Sequence, residues 1–549
     1  MKKLIAFMLV IGLMFSTVLV VYADTNAADS KEGTEIVEDT TAAVAAAKKK
    51  AEANEALVAQ NTSGLYNLIN SGNYNLFTNY VDGYSLWVDK EMVVDMSYSG
   101  LCTVLESDTK RIEIYKQSLA AIGKSGYITY SNKFLKNTKD HYLEYDGSQT
   151  IGAHNVNVVV WSRDKLSKVQ NDKNYYLCMD IVSGGYAYTI FVKATQPISN
   201  LGGYSYLVEN FNITGTSKQA YNRVGQAIAP EAKGWNAETL SFFKKYFGEK
   251  AELTWGIFEP ETWSLDFTQL NYYESQFNYK FPILLNYTEF QLDRHPNLKE
   301  RLNASWNNGQ VLELTLQTAA QSDGNMMYDI LQGDYDVFLY DYAQVIKDFE
   351  HPVLFRPLNE MNGDWCPYSS YNTSRDTLIF KEVYTYIYSI FDEVGVNNAI
   401  WIWNPNEASY PNFKWNDTLM YYPGDAYVDV VGMTAYNTGT YYATVGETWK
   451  EFKVLYENLY YNYCNMFQQP LMITEFASAS MGGDKEQWVI NMFNQITDYD
   501  RIKVAIWWDG CDWDVDGTVA RSYIMDESPT LLNIFKQYLN GPWHKDMLG

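Results

Sequence analysis

From about Lys218 onward, short apolar runs alternate with longer amphipathic stretches, and this alternation constrains the fold more than any other feature of the chain. The runs at 253–258, 281–287, 311–316, 353–358, 399–403, 428–433, 471–474 and 504–508 read as buried strands, rich in β-branched and aromatic residues. The stretches 374–394, 445–467 and 484–499 carry apolar residues at helical spacing, and a last one, 530–539, follows the eighth run. Eight strand–helix units in about 300 residues predict an α/β fold, a (β/α)8 TIM barrel. An open doubly wound sheet is the alternative, but no run is followed by a glycine-rich phosphate loop.

The remainder of the chain divides by composition. Residues 1–23 begin Met1-Lys2-Lys3, continue as an apolar run and reach Val21-Tyr22-Ala23, the pattern of a signal peptide cleaved after Ala23. The expected location is therefore extracellular, with an uncleaved membrane anchor as the alternative because the run is long for a signal segment. Residues 24–60 are acidic and then Ala/Lys-rich, with little to bury, and read as a linker. Residues 61–217 show short alternating runs, such as 84–89, 111–115, 156–161 and 186–192, separated by Gly, Asn, Asp and Ser turns. That predicts a smaller all-β domain, either a carbohydrate-binding module or a spacer, ahead of the barrel domain at 218–549.

A formal net charge of -24 makes the surface repel nucleic acid, whereas a neutral polysaccharide is indifferent to it. Aromatic residues form 16% of the chain, including 46 Tyr and 16 Trp, and flat rings are what sugar faces stack on. The five cysteines include no C-x-x-C pair, and no histidine stands in a metal-ligand pattern, so neither a metal nor an organic cofactor is expected. A disulfide between Cys102 and Cys178 is compatible with export; five free, mostly buried thiols are the alternative.

Two strand-like runs deliver a glutamate into a polar, aromatic loop. The fourth ends in Arg356-Pro-Leu-Asn359-Glu360-Met-Asn-Gly-Asp-Trp365, and the seventh in Ile-Thr-Glu475-Phe-Ala. Paired carboxyls at strand ends on opposite sides of a barrel mouth are the minimum equipment for hydrolysing a glycoside. Strand alternation predicts that Arg356, Leu358 and Glu360 share one face, and likewise Ile473 and Glu475. Tyr436 falls just past the sixth strand, where its hydroxyl can orient a carboxylate. Trp365, Trp507 and Trp508 are candidate sugar platforms. Trp403, Asn404 and Phe258 are further candidates at strand ends. Cys366 and Cys511 have no basic partner within sequence reach and read as bystanders.

Taken together, R-P-L-N-E-M-N-G-x-W on the fourth strand, V-D-V-V-G-M-T-A-Y-N on the sixth, I-T-E-F-A on the seventh and I-W-W on the eighth resemble glycoside hydrolase family 26, a family within a clan of retaining (β/α)8 hydrolases. The resemblance covers about residues 235–540. It implies an endo-β-1,4-mannanase or a related β-glucanase or xylanase, with Glu360 as acid/base, Glu475 as nucleophile and Tyr436 as the nucleophile's hydrogen-bond partner. One position departs: mannanases of the family usually carry His before the acid/base, and this chain has Asn359, as most other families of the clan do. In those relatives the Asn binds the 2-hydroxyl of the reacting sugar, the group whose orientation distinguishes mannose from glucose. β-Mannan is thus the first expected substrate and a β-1,4 or mixed-linkage β-glucan the second. A catalytically silent glycan-binding surface protein is the reading from a different class.

Overall fold

The computed structural model describes residues 57–541 apart from residues 200 and 319–323. The signal segment read at 1–23 and nearly all of the linker at 24–60 lie outside the described residues. Eight parallel strands, Thr254–Phe258, Ile283–Glu289, Val311–Gln317, Val353–Pro357, Ala399–Trp403, Val430–Thr434, Leu471–Phe476 and Ile502–Trp508, form a closed barrel. The ring closes where the first strand pairs with the eighth, Thr254 opposite Val504 and Phe258 opposite Trp508.

Alternation along each strand sorts the side chains into two layers. Ile283, Leu285, Val311, Leu354, Ile400, Ile402, Val430, Met472, Val504 and Ile506 fill the base of the barrel interior. Their neighbours Leu284, Leu312, Phe355, Trp401, Val431, Ile473 and Ala505 pack outward among the surrounding helices. The same parity leaves the last inward position of each strand for the mouth.

Two helices begin later than their sequence pattern predicts. The stretch 374–394 is helical only over Leu378–Val394, because Ser374 and Arg375 adopt left-handed backbone angles, with φ of 58° and 53°. That turn sends Arg375 and Asp376 away from the helix and toward the N-terminal domain. The stretch 445–467 is helical over Phe452–Met466. Before it, the Lys450 amide is held by the Asn437 side chain.

The N-terminal part forms a seven-stranded antiparallel sheet and a four-stranded sheet, with short helical turns including Gly123–Ser131. Phe77, Tyr84, Leu86 and Val88 of the smaller sheet meet Ile112, Ile114, Val158, Leu177 and Ile190 of the larger across one core. The opposite face of the larger sheet is also covered: Tyr115, Trp161, Tyr176, Cys178 and Phe191 cluster with Phe413, Trp415 and Met420 of the barrel. Burial on both faces accounts for uninterrupted apolar runs such as Val158-Val-Val-Trp161. All five cysteines are free, so the expected Cys102–Cys178 bridge does not form. Cys102 directs its thiol at the Thr103 carbonyl, and Cys178 lies against Asp180 and the Arg375 guanidinium, which donates to it.

The join between sheet and barrel is polar at its centre. Lys193 is fully buried and pairs with Glu113 at 2.9 Å and with Asp376 of the barrel at 2.6 Å. Burial alone would raise the Glu113 carboxyl, but Lys193 and Arg111 overcome it and hold it down at about 2. Asp376 also accepts from the Tyr176 hydroxyl at 2.9 Å. Removing one member strands a buried charge, which costs about 3 kcal/mol or more. Asp376→Ala should therefore lower the urea unfolding midpoint by an amount equivalent to about 3 kcal/mol. A variant indistinguishable from the parent would show that the join does not depend on this network.

Candidate active site

The fourth strand stops at Pro357, and the backbone then turns sharply: Leu358 and Glu360 have φ of 59° and 56°. Left-handed angles at non-glycine residues are strained and persist only where the surroundings enforce them. Here the Leu358 amide donates to the Leu316 carbonyl at 2.8 Å, and the Glu360 amide to the Asn404 carbonyl at 2.7 Å. Leu358 consequently packs in the outer layer while Arg356 faces inward. The shared face expected for Arg356, Leu358 and Glu360 does not exist; the turn, rather than alternation, delivers Glu360 to the mouth. The seventh strand departs from alternation in a similar way. Its register slips at Thr474–Glu475 against the sixth strand and again before Phe476 against the eighth, so Ile473 packs outward while Glu475 projects into the mouth. Such a bulge re-aims one side chain.

Glu475 is gripped from three sides. Arg356 donates to its Oε1 at 3.0 Å, Tyr436 donates to its Oε2 at 3.1 Å, and the Tyr287 hydroxyl donates to the same Oε2. Asn359 reaches Oε1 at 3.5 Å and is itself steadied by the Tyr368 hydroxyl. Burial, then the neighbouring Glu475, raises both the Tyr287 and Tyr436 phenols well above their ordinary range, so both remain donors. Glu360 has one strong partner, the Asn406 amide, which donates to Oε1 at 2.7 Å. Asn406 is fixed in turn by reciprocal bonds with the buried Asn362. Burial first and Glu475 second push the Glu360 carboxyl up to about 8, against the opposing pull of Asn406 and Arg356. Burial and the neighbouring carboxylate thus both favour the protonated form of Glu360.

Beneath this pair lies a carboxylate that strand patterning did not single out. Glu313, fully buried on the third strand, meets Arg356 Nε at 2.6 Å. One guanidinium serves two carboxyls in a dry interior; burial, and then Glu475, push Glu313 up to about 8 despite Arg356. Arg356 thus stands between Glu313 and Glu475 as the one cation in contact with both.

The aromatic platforms divide by parity. Trp508 faces the mouth, stacks on Phe258 at 4.9 Å and 16°, and donates its indole N–H to the Tyr287 hydroxyl at 3.2 Å. Trp365 lies near Tyr410 on the opposite lip. Each indole rests on a glycine two residues away: a Cβ on Gly363 would sit 2.5 Å from the Trp365 ring, and one on Gly510 would sit 2.8 Å from the Trp508 ring.

Five of the expected sugar contacts are placed elsewhere. Trp403 points outward against Tyr422 and Phe467, and Trp507 outward against Phe476 and Phe535, because their strand neighbours take the inward positions. Asn404 is fully buried below the mouth, where it accepts from Arg356 at 2.8 Å. Arg356 is likewise fully buried and acts on Glu475, out of reach of a ligand. Phe258 is 3% exposed and backs Trp508 instead of meeting the cleft. Among the described residues, no group of three His, Cys, Asp or Glu side chains is arranged to hold a metal ion.

A closed barrel with two glutamates of unlike environment at its C-terminal mouth defines the class of site. Residues 296–499, which include the motifs on the fourth, sixth and seventh strands, match the model of Glycosyl hydrolase family 26. The chain is 33% identical over 210 residues to Endoglucanase H of Acetivibrio thermocellus, a match covering 37% of this chain and 22% of that protein. It is 31% identical over 164 residues to a mannan endo-1,4-beta-mannosidase of Bacillus subtilis, covering 26% of this chain and 44% of that one. The chain thus spans less than half the length of each of these relatives. A solved ruminal GH26 endo-beta-1,4-mannanase aligns over 88% of this chain and 93% of its own, with 13% identity and a TM-score of 0.43.

Glu475 supplies part of the upward push on Glu360, and burial supplies the larger part. In Glu475→Gln, the Glu360 carboxyl should titrate below its value in the parent but above an exposed glutamate, as followed by 13C NMR of labelled carboxyls. An unchanged titration would show that the two groups do not share a field.

Proposed function

We propose that the protein is a retaining endo-β-1,4-glycanase and that β-mannan is its first substrate. The observation that carries this reading is the asymmetry of the two glutamates: Glu475 accepts from Arg356, Tyr287 and Tyr436, while Glu360 is pushed up and touches a single amide donor. That asymmetry matches the division of labour between a nucleophile and a proton donor.

In this mechanism Glu475 attacks the anomeric carbon while the Glu360 proton passes to the glycosidic oxygen, which leaves with its electron pair. The sugar is then held as an ester of Glu475. Consumption of the Glu475 charge relaxes the upward push on Glu360, which now takes a proton from water as that water opens the ester. Two displacements return the starting configuration. Tyr287 and Tyr436 share Oε2, and they fix the carboxylate plane while Oε1 stays seated on Arg356. Trp508 and Trp365 provide stacking surfaces on either side of the reacting sugar.

A β-glucan is the second reading, favoured by a specific contact. Asn359 sits on Glu475 Oε1, so its amide is placed to meet the substituent next to the anomeric carbon, and relatives include both mannan endo-1,4-beta-mannosidases and Endoglucanase H. Reducing-sugar release from galactomannan, glucomannan, mixed-linkage β-glucan, soluble cellulose and xylan separates the two: mannan-only release supports the first, glucan-only release the second. Silence on every polymer would contradict both.

The alkaline limb of activity should follow loss of the Glu360 proton. Asn406 stabilises the ionised form of Glu360, so Asn406→Ala should move that limb to higher pH while lowering kcat about tenfold or more. A limb moving to lower pH would contradict the assignment. Glu475→Ala should lose turnover and regain part of it with azide, yielding the glycosyl azide of inverted configuration. Full activity in that variant would remove Glu475 from the chemistry.

A further inference from the structure

Directly after Trp508 the chain forms a hairpin, Cys511–Trp513 paired with Val519–Ser522, that the mechanism above does not use. It returns to the site at Tyr523, whose ring lies 5.7 Å from Trp508 and 5.3 Å from Tyr436. The hairpin therefore begins and ends on side chains around Glu475.

It is also braced. Asp512 and Arg521 lie opposite each other across the two strands and pair through Nε at 2.8 Å and Nη2 at 2.7 Å. The Arg521 guanidinium sits 4.8 Å from the ring centres of both Tyr441 and Tyr442, which belong to the loop after the sixth strand. Tyr441 donates its hydroxyl to Asp514 at 2.5 Å. The loop after the seventh strand joins through the Thr440 amide, which donates to the Met481 carbonyl at 3.1 Å. Loops from the sixth and eighth strands thus clasp each other across the strand that carries Glu475.

On this clasp Trp513 is 65% exposed, its cross-strand partner Val519 is 48% exposed, and Tyr442 is 40% exposed. The clasp fixes the backbone that carries this exposed indole, so a ligand meeting it need not order the hairpin as well. Trp513 is five residues beyond Trp508, a reach of roughly 17 Å at most for extended chain. The surrounding acidic side chains, Asp512, Asp514 and Asp516, disfavour an anionic polymer and leave a neutral glycan indifferent.

We propose that Trp513 is a remote subsite, stacking a sugar of the same neutral β-glycan strand whose reacting ring lies at Glu475. The inference rests on the glycanase reading and adds to it a second, distant grip on the polymer on the Glu475 side of the mouth. Chain length becomes the variable that reports it: short oligosaccharides end before the indole and long ones reach it.

The test compares the parent with Trp513→Ala and Trp513→Phe on linear β-1,4-linked manno- and gluco-oligosaccharides from disaccharide to hexasaccharide, and on the matching polymers. Trp513→Ala should lose roughly fivefold in kcat/KM on the longest substrates, through KM, with no loss on the shortest one cleaved; Trp513→Phe should keep most of the gain from length. Equal rates at every length, or an equal loss at every length, would overturn the subsite. If Trp513→Ala instead weakened self-association in sedimentation with hydrolysis unchanged, the face would belong to a second copy of the chain, and the proposal would fall. A parent inactive on all lengths would overturn the glycanase reading itself, a result distinguishable from failure of the subsite alone.

Discussion

The Arg356 guanidinium is the interaction on which the site depends. It is buried in the barrel, donates to Thr315, Asn404 and Glu475, and lies against Glu313. Of the three donors that converge on Glu475, the guanidinium is the one that brings a full positive charge. Burial works against the Arg356 charge, but Glu313 and Glu475 outweigh it and keep the group protonated. From this one cation the unlike behaviour of the three carboxyls follows. Glu313 meets the guanidinium from below at 2.6 Å, Glu475 meets it from the mouth at 3.0 Å, and Glu360 lies within the field of Glu475 with the Asn406 amide and the more distant Arg356 to compensate.

Rigid elements around the guanidinium set the geometry. Strand parity places Thr315, Asn404 and Arg356 on inward positions, and the two departures from parity, the left-handed turn at Leu358 and Glu360 and the slip at Thr474–Glu475, bring the glutamates to the mouth. Strain in one turn is borne by backbone bonds to two neighbouring strands, and the Asn362–Asn406 pair fixes the donor that Glu360 meets. The N-terminal sheets take part in this support. Tyr130 donates to Asp364, next to Trp365, and Asp376 in the same loop is anchored by Lys193. The loop that follows Glu360 is thus held from outside the barrel as well as from within.

Much of this was legible in the sequence because its cause is local. Buried parallel strands require apolar runs, so all eight could be located, and the chemistry needs glutamates at strand ends, so Glu360 and Glu475 stood out. Tyr436 was legible for the same reason. What escaped were facts of parity and of long-range pairing. Trp403 and Trp507 look like platforms in sequence, yet a single step of alternation turns each outward. Asn406 lies two residues past the more conspicuous Asn404, and only the folded loop shows which of the two reaches Glu360. Glu313 reads as one charge within an apolar strand; an inward-facing charge at that position was the available signal. Tyr287 stood out as a strand-end residue for which a functional and a core role were both open, and only the fold shows its hydroxyl on Glu475. The N-terminal segments read as alternating runs, which implies one covered face; the second buried face of the larger sheet went unread, and its partner on the barrel, Phe413 to Met420, carries no complementary pattern.

The central claim is that Glu475 forms a covalent bond to the sugar while Glu360 manages the proton. It is tested most directly by incubating the protein with an activated 2-deoxy-2-fluoro β-mannoside or β-glucoside of two sugars, which slows the second displacement, and reading the adduct by intact mass and peptide sequencing. The account predicts one glycosyl group on the peptide that contains Glu475, with activity returning as the adduct turns over. An adduct on another residue, or no adduct from a protein that hydrolyses its substrate with inversion at the anomeric carbon, would contradict it.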